Sequence, residues 1–157
     1  MGVAGSGKTT IGELLAARLQ STFIDGDAFH PATNVEKMSH GIPLTDADRE
    51  PWLAAIHARI VDALARGERL IIACSALKQK YRDTLGRDID LVWVYLKGSQ
   101  ELIFARLQAR SHHYMKAGML ASQFADLEEP TDAIVVDVSS PPDAIVQQIV
   151  STISAAA

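Results

Sequence analysis

A glycine-rich stretch at the start of the chain has the residue types and the spacing of a phosphate-binding loop. Residues 2–9 fit the pattern Gly-x-x-x-x-Gly-Lys-Thr. Closely spaced glycines let backbone N–H groups converge on phosphate oxygens, and a helix starting near Thr9 would add its positive end. Lys8 can reach the β- and γ-phosphates of a nucleotide, and the Thr9 hydroxyl can bind Mg²⁺. The nucleotide-binding residues predicted from this stretch are Gly2, Val3, Ala4, Gly5, Ser6, Gly7, Lys8, Thr9 and Thr10.

Two carboxylates, Asp25 and Asp27, follow a short apolar run. In open α/β sheets, ligands bind at the carboxyl ends of strands, so both should lie near the γ-phosphate. One carboxylate can hold a Mg²⁺-bound water, while the other orients an attacking hydroxyl or accepts its proton. The alternative is a solvated turn, because Asp-Gly is common in turns.

Three cationic residues stand near predicted strand ends or helix starts. Arg49 precedes a helix, and Lys78 follows the apolar run at 70–74. Arg82 comes four residues after Lys78, so the two share a helix face. Such groups could bind a small anionic substrate. Ordinary surface charges are the alternative for each of them.

A second pair of cations, Arg106 and Arg110, precedes a polar and aromatic stretch that interrupts its helix. This arrangement is typical of a mobile lid, at about 108–120, that brings arginines to a transferring phosphoryl group. An exposed helix end, with its cations near the negative end of the helix dipole, is the alternative.

Alternating strand-like and helix-like segments are expected to position these residues. Continuous apolar runs predict buried parallel strands at 22–25, 70–74, 91–96 and 133–137. Helices are predicted from about Thr9 to Leu19, from near Pro51 to just before Gly67, after a Ser99 cap, and after the Pro141-Pro142 pair. The alternation predicts an α/β fold with a parallel sheet.

The composition bounds the class of protein. The 157 residues, 48% hydrophobic and 22% charged, suit a single globular domain, 1–157. A net charge of −4 argues against nucleic-acid binding, and the longest apolar runs are far too short to span a membrane. The single cysteine, Cys74, indicates a reducing compartment, and we therefore expect a cytoplasmic protein.

The sequence resembles the small ATP-dependent gluconokinases of the shikimate-kinase-like branch of P-loop kinases. The narrowest signals are Cys-Ser-Ala-Leu-Lys at 74–78 and Ser-Gln-Phe at 122–124, followed by Leu-Glu-Glu-Pro at 127–130. Further similarity covers residues 2–9, 25–30, 34–38, 41–44, 46–53, 81–83, 95–98 and 110–115.

The resemblance implies transfer of the ATP γ-phosphoryl group to the 6-hydroxyl of D-gluconate, with ATP and Mg²⁺ as cofactors. It also implies a three-layer α/β/α P-loop fold with sheet order 2-3-1-4-5, a lid, an acceptor-binding segment at about 30–50 and, often, a homodimer. Thr9 and Asp25 would then bind the metal, and Asp27 would orient the acceptor hydroxyl. The other substrate-binding candidates are His30, Arg49, Lys78, Arg82 and His113, while Arg106 and Arg110 would serve the lid and the nucleotide.

The central first strand of such a sheet would have to precede Gly2, where only Met1 stands. We expect an N-terminal extension to supply it; the alternatives are a true fragment and a rearranged sheet. The competing functions are a shikimate-kinase-like enzyme and an N-terminally truncated, non-catalytic nucleotide-binding protein.

Overall fold

The computed structural model describes residues 1–109 and 117–156, in which helices alternate with four short parallel strands. The first half contains α1 (Lys8–Leu19), β1 (Thr22–Asp25), a 3₁₀ turn (Gly26–Phe29), α2 (Ala32–Ser39), α3 (Asp46–Ala65) and β2 (Leu70–Ala73). The second half contains α4 (Gln79–Leu85), β3 (Val94–Lys97), α5 (Gln100–Ala109), α6 (Ala117–Asp126), β4 (Ile134–Asp137) and α7 (Pro142–Ala156). The predicted α/β fold class is confirmed.

The strands form two parallel pairs, β1 with β2 and β3 with β4. Met1 lies between the pairs: its amino group donates to the Val94 carbonyl at 2.5 Å, and its carbonyl accepts from the Leu96 amide at 3.0 Å. The next residue, Gly2, donates its amide to the Ser75 carbonyl at 3.2 Å, beyond the end of β2. The chain therefore enters the phosphate loop between the two strand pairs.

An apolar cavity of about 600 Å³ lies beside Met1, between β2 and β3. Residues of both strands line it, including Ile72 and Val94, and the first and last helices contribute Leu15 and Ile149. In the predicted 2-3-1-4-5 order, β1 to β4 are the strands numbered 2 to 5. The pairing of β1 with β2 and of β3 with β4 agrees with that order, as does the position of Met1 between the pairs, where the order puts the central strand.

Helices cover both faces of the strands. Consecutive residues Ile71 and Ile72 of β2 point in opposite directions and pack against different core clusters. One cluster joins α1 and α7 to β3 and β4, and the other is built around Trp52 of α3 and Tyr81 of α4. Helices on both faces of a parallel sheet make the three-layer arrangement.

The third helix begins earlier than predicted, at Asp46 instead of near Pro51. The Thr45 hydroxyl accepts from the Asp48 amide at 3.2 Å, and the Asp48 carboxylate accepts from the Thr45 amide at 2.9 Å. This capping box satisfies two backbone donors at the helix start. Pro51 therefore lies inside α3. Across the described ranges, every helix is too short or too polar to cross a membrane.

Candidate active site

The phosphate loop is held open by glycines in left-handed backbone conformations. Gly5 and Gly7 have φ angles of +79° and +95°. Gly5 also has no room for a side chain, since a Cβ atom there would lie 2.7 Å from Cγ of Leu107. The Lys8 ammonium, at the start of α1, donates to the Val3 carbonyl of the same loop at 2.9 Å. The loop therefore curls around the ammonium group.

Burial lowers the pKa of Lys8, and the negative charges of Asp27 and Asp25 oppose that shift. Thr9, next to the lysine, donates to Asp25, and Asp25 accepts from the Asp27 amide, so both acidic residues lie near the start of α1. The structure therefore gathers the predicted phosphate-binding cation and the predicted carboxylate pair in one region.

The two predicted metal ligands are in direct contact. The Thr9 hydroxyl donates to Asp25 Oδ2 at 3.1 Å, while Asp25 Oδ1 accepts from the Asp27 amide at 3.0 Å. The second bond caps the 3₁₀ turn and directs the chain so that the Asp27 side chain remains exposed. The hydroxyl comes from the start of α1 and the carboxylate from the end of β1, and both are oxygen ligands of the kind that Mg²⁺ prefers, so these residues fit that ion.

Two residues without a predicted role at the site, Trp52 and Asn34, hold the turn that carries Asp27. The Trp52 indole is fully buried and donates to the Gly26 carbonyl at 2.8 Å. Its ring stacks on His30, with centroids 4.4 Å apart. Asn34, also buried, donates to the Asp48 carbonyl at 2.7 Å and so ties α2 to the first turn of α3. The predicted acceptor segment is thus fixed at both ends.

His30 lies against the carboxylate that is predicted to orient the acceptor. Its Nε2 is 3.9 Å from Asp27 Oδ1. Burial lowers the pKa of His30, and the charge of Asp27 opposes the shift. The ring therefore supports the 3₁₀ turn from one side, between Trp52 and the exposed carboxylate.

Arg49 and Lys78, predicted separately, meet at the ring of Tyr81. The Arg49 guanidinium is 5.4 Å and the Lys78 ammonium 5.8 Å from the ring centroid. Nε of Arg49 is buried and has no hydrogen-bond partner among the described residues. An anionic group of a ligand could provide one. The structure therefore places two of the predicted substrate-binding cations together.

Asp46, to which the sequence assigned no function, organises this cluster. Its carboxylate accepts from Lys78 at 3.2 Å and also from the Tyr81 hydroxyl and Lys80. These bonds hold the pKa of Asp46 well below its usual range and raise the pKa of Lys78. Burial and the bond to Asp46 raise the pKa of Tyr81 to about 12. The carboxylate orients the cations and offsets part of their charge.

Arg82 lies apart from the Arg49–Lys78 cluster, and its predicted substrate contact stays a prediction. Only 3% of it is exposed, and its guanidinium donates to the carbonyls of Ala76, Leu77 and Glu128 at 2.9–3.1 Å. Lys78 and Arg82 do lie four residues apart, but the first faces Asp46 and the second turns into the protein. Through these bonds Arg82 holds the loop that carries Lys78 against the segment at Glu128.

Arg106 lies beside the phosphate loop. It donates to the Val138 carbonyl at 2.5 Å and borders a cavity of about 150 Å³ that is also lined by Gly5, Gly7 and Thr10. The predicted Arg110 and His113, with residues 110–116 of the predicted lid, lie outside the described residues. Helices α5 and α6 flank that segment.

Helix α6 contacts the phosphate loop directly, which no local sequence pattern revealed. The Gln123 side chain accepts the Ala4 amide at 2.7 Å. The only sequence signal for a role of this region was the family resemblance. Gln123 lies in its Ser-Gln-Phe string, and Glu128 lies in its Leu-Glu-Glu-Pro string.

Comparisons with known proteins agree on one family. The family model described as shikimate kinase matches residues 4–154. The thermoresistant gluconokinase of Escherichia coli (strain K12) is 42% identical over 98% of this chain and 90% of its own length. The gluconokinase of Gluconobacter oxydans (strain 621H) is 45% identical over 96% of this chain and 86% of its own. A crystal structure of a gluconokinase from Sinorhizobium meliloti 1021 superposes with a TM-score of 0.90 at 42% identity, covering 100% of this chain and 90% of that one.

Proposed function

Because the chain belongs to the gluconokinases within the shikimate kinase family, we propose that it phosphorylates D-gluconate at the 6-hydroxyl with ATP. The observation that carries the proposal is the contact between Thr9 and Asp25 at 3.1 Å. This contact joins the end of the phosphate loop to Asp25, which precedes the turn that carries Asp27. A phosphoryl donor bound at the loop and an acceptor bound at Asp27 would therefore lie close together.

On the nucleotide side, the loop amides and the N-terminal end of α1 would bind the phosphates. Lys8 would leave the Val3 carbonyl and offset the charge that develops on the transferring group. Thr9 and Asp25 would hold Mg²⁺, which when bound neutralises the β- and γ-phosphate oxygens. Arg106 borders the small cavity behind the loop, a position suited to the nucleoside end of ATP.

On the acceptor side, Asp27 would orient the attacking hydroxyl and accept its proton, with His30 and Trp52 fixing the turn on which it stands. Arg49 and Lys78 would bind the carboxylate and hydroxyls of the sugar acid. The reaction requires mainly that the substrates be positioned and the phosphate charge be stabilised, which these residues can do without forming a covalent bond to the substrate themselves. A single catalytic domain, a homodimer and a cytoplasmic location stay predictions.

The test is a coupled assay of ADP release with gluconate, shikimate and AMP as separate acceptors. We expect turnover with gluconate and, with the other two, only the background rate seen without an acceptor. Turnover with shikimate alone would instead favour the activity after which the family model is described. Nucleotide binding without turnover of any of the three would contradict the proposed enzyme activity.

A further inference from the structure

Helix α6 and the segment after it, residues 117–129, connect two loops that are far apart in sequence. At one end lies the phosphate loop, residues 2–7. At the other lies the β2–α4 loop, residues 74–78, which carries Lys78. The contacts that residues 117–129 make with these two loops have no part in the proposed binding or transfer of the phosphoryl group.

The contact with the phosphate loop combines a polar bond and apolar packing. Gln123 Oε1 accepts the Ala4 amide at 2.7 Å across 119 residues of sequence. Leu120, one turn earlier and only 1% exposed, packs in the same cluster as Val3 and Leu107. A side chain on a packed helix thus fixes one amide of the phosphate loop.

The contact with the β2–α4 loop is made mainly by Glu128. Its amide donates to the Leu77 carbonyl at 2.9 Å, and its carboxylate accepts the amide of Gln79, the first residue of α4, at 2.6 Å. Its carbonyl accepts from Arg82, which also holds the carbonyls of Ala76 and Leu77. A carboxylate at the start of a helix satisfies a free amide there and interacts favourably with the helix dipole.

The charges reinforce the same connection. The Lys78 ammonium lies 3.4 Å from Asp126, the last residue of α6, as well as 3.2 Å from Asp46 on α3. A shift of α6 relative to the β2–α4 loop would change the surroundings of a cation that is proposed to bind the acceptor.

We propose that Gln123 and Glu128 are positioning residues that couple the two loops, so that nucleotide binding at residues 2–9 alters the β2–α4 loop and the affinity for the acceptor. The inference rests on the proposed function for the identity of that acceptor. Packed and hydrogen-bonded segments can carry coupling between two sites, and α6 with its following segment contacts both loops. Nucleotide binding changes the environment of Ala4, and the response passes through Gln123 to Glu128 and Gln79.

Backbone amide spectra of the full chain test this without any acceptor. A non-hydrolysable ATP analogue with Mg²⁺ should shift the Gln79 amide resonance in the unsubstituted protein. In Gln123→Met, which keeps the length of the side chain and loses its strong acceptor, the shift at Gln79 should fall at least twofold at saturating analogue. Gln147→Met, an exposed glutamine substituted on α7, is the matched control and should retain the full shift.

Affinity measurements add the acceptor. Gluconate should tighten binding of the analogue by about fivefold or more, the lower end of typical couplings. That factor should approach one in Gln123→Met and in Glu128→Ala, which breaks the connection at its other end. Glu128→Gln keeps an acceptor for the Gln79 amide and should keep most of the coupling.

The outcomes separate the two proposals. An unchanged Gln79 shift in Gln123→Met overturns the inference, as does an unchanged coupling factor in both disruptive variants. Nucleotide binding with loop coupling, but no effect of gluconate in any variant, contradicts the proposed acceptor and leaves the loop connection standing. Failure of the folded protein to bind the analogue overturns both.

Discussion

Replacing Gly5 by alanine should lower the free energy of unfolding by about 2–5 kcal/mol. The first part of this sum is conformational, because Gly5 has φ +79° and an L-residue in a left-handed conformation costs roughly 1–2 kcal/mol. The second part is steric. The new Cβ would lie 2.7 Å from Cγ of Leu107, a core residue, and overpacking typically costs about 1–3 kcal/mol.

Urea unfolding of the variant measures this sum, and Gly67→Ala is the matched control. Gly67 has φ +65°, but a Cβ atom added there would meet nothing within 4 Å, so only the conformational part should appear. In a double-mutant cycle, Leu107→Ala should relieve the steric part and make the pair less than additive by about 1–3 kcal/mol. If Gly5→Ala costs no more than Gly67→Ala, the proposed close contact between the phosphate loop and α5 is wrong.

Three further predictions concern the site. Lys8→Ala should reduce turnover by at least about 100-fold in the ADP-release assay, because it removes a group that stabilises developing charge; near-normal turnover would refute that role. Trp52→Phe should lower the free energy of unfolding by about 1–3 kcal/mol, since the buried Gly26 carbonyl loses its donor; an unchanged urea midpoint would contradict this. The pKa of His30, followed by NMR, should lie below its ordinary value of about 6.5. The lowered pKa contributes stability above pH ~6.5 that is lost as pH falls through the folded-state pKa, and a His30→Gln variant should lack this dependence.

Local patterns in the sequence located the strands and the phosphate loop, although β3 begins at Val94, three residues after the start of the predicted run at 91–96. The apolar runs at 22–25 and 70–74 contain the observed β1 and β2, because strands buried on both faces need continuous apolar residues. The glycines and the lysine of the loop act within a few residues of one another, so their spacing carries the geometry. Helix α3 begins five residues before Pro51, because the capping box of Thr45 and Asp48 starts the helix there.

The spacing of the cationic residues in the sequence does not predict which of them can contact a ligand. Lys78 and Arg82 are one helical turn apart, yet Asp46 holds the first near the surface while carbonyls from two segments hold the second inside. Asp46 lies 32 residues from Lys78, and Glu128 lies 46 residues from Arg82, while Ala76 is only six residues from Arg82. Sequence spacing predicts which residues share a helix face, but burial and distant acceptors decide which of them can meet a ligand.

The position of the phosphate loop also depends on contacts with residues that are far away in the sequence. Met1 and Gly2 bond to Val94, Leu96 and Ser75, so the loop starts from between the two strand pairs. Its middle is packed against Leu107 and held by Gln123. Asp25, Asp27 and Arg106 therefore keep their relative positions through the loop and α6, together with α1, which packs against both strand pairs. Because each of these connections joins segments far apart in the chain, a substitution at any one of them should alter the site without changing the phosphate-binding pattern.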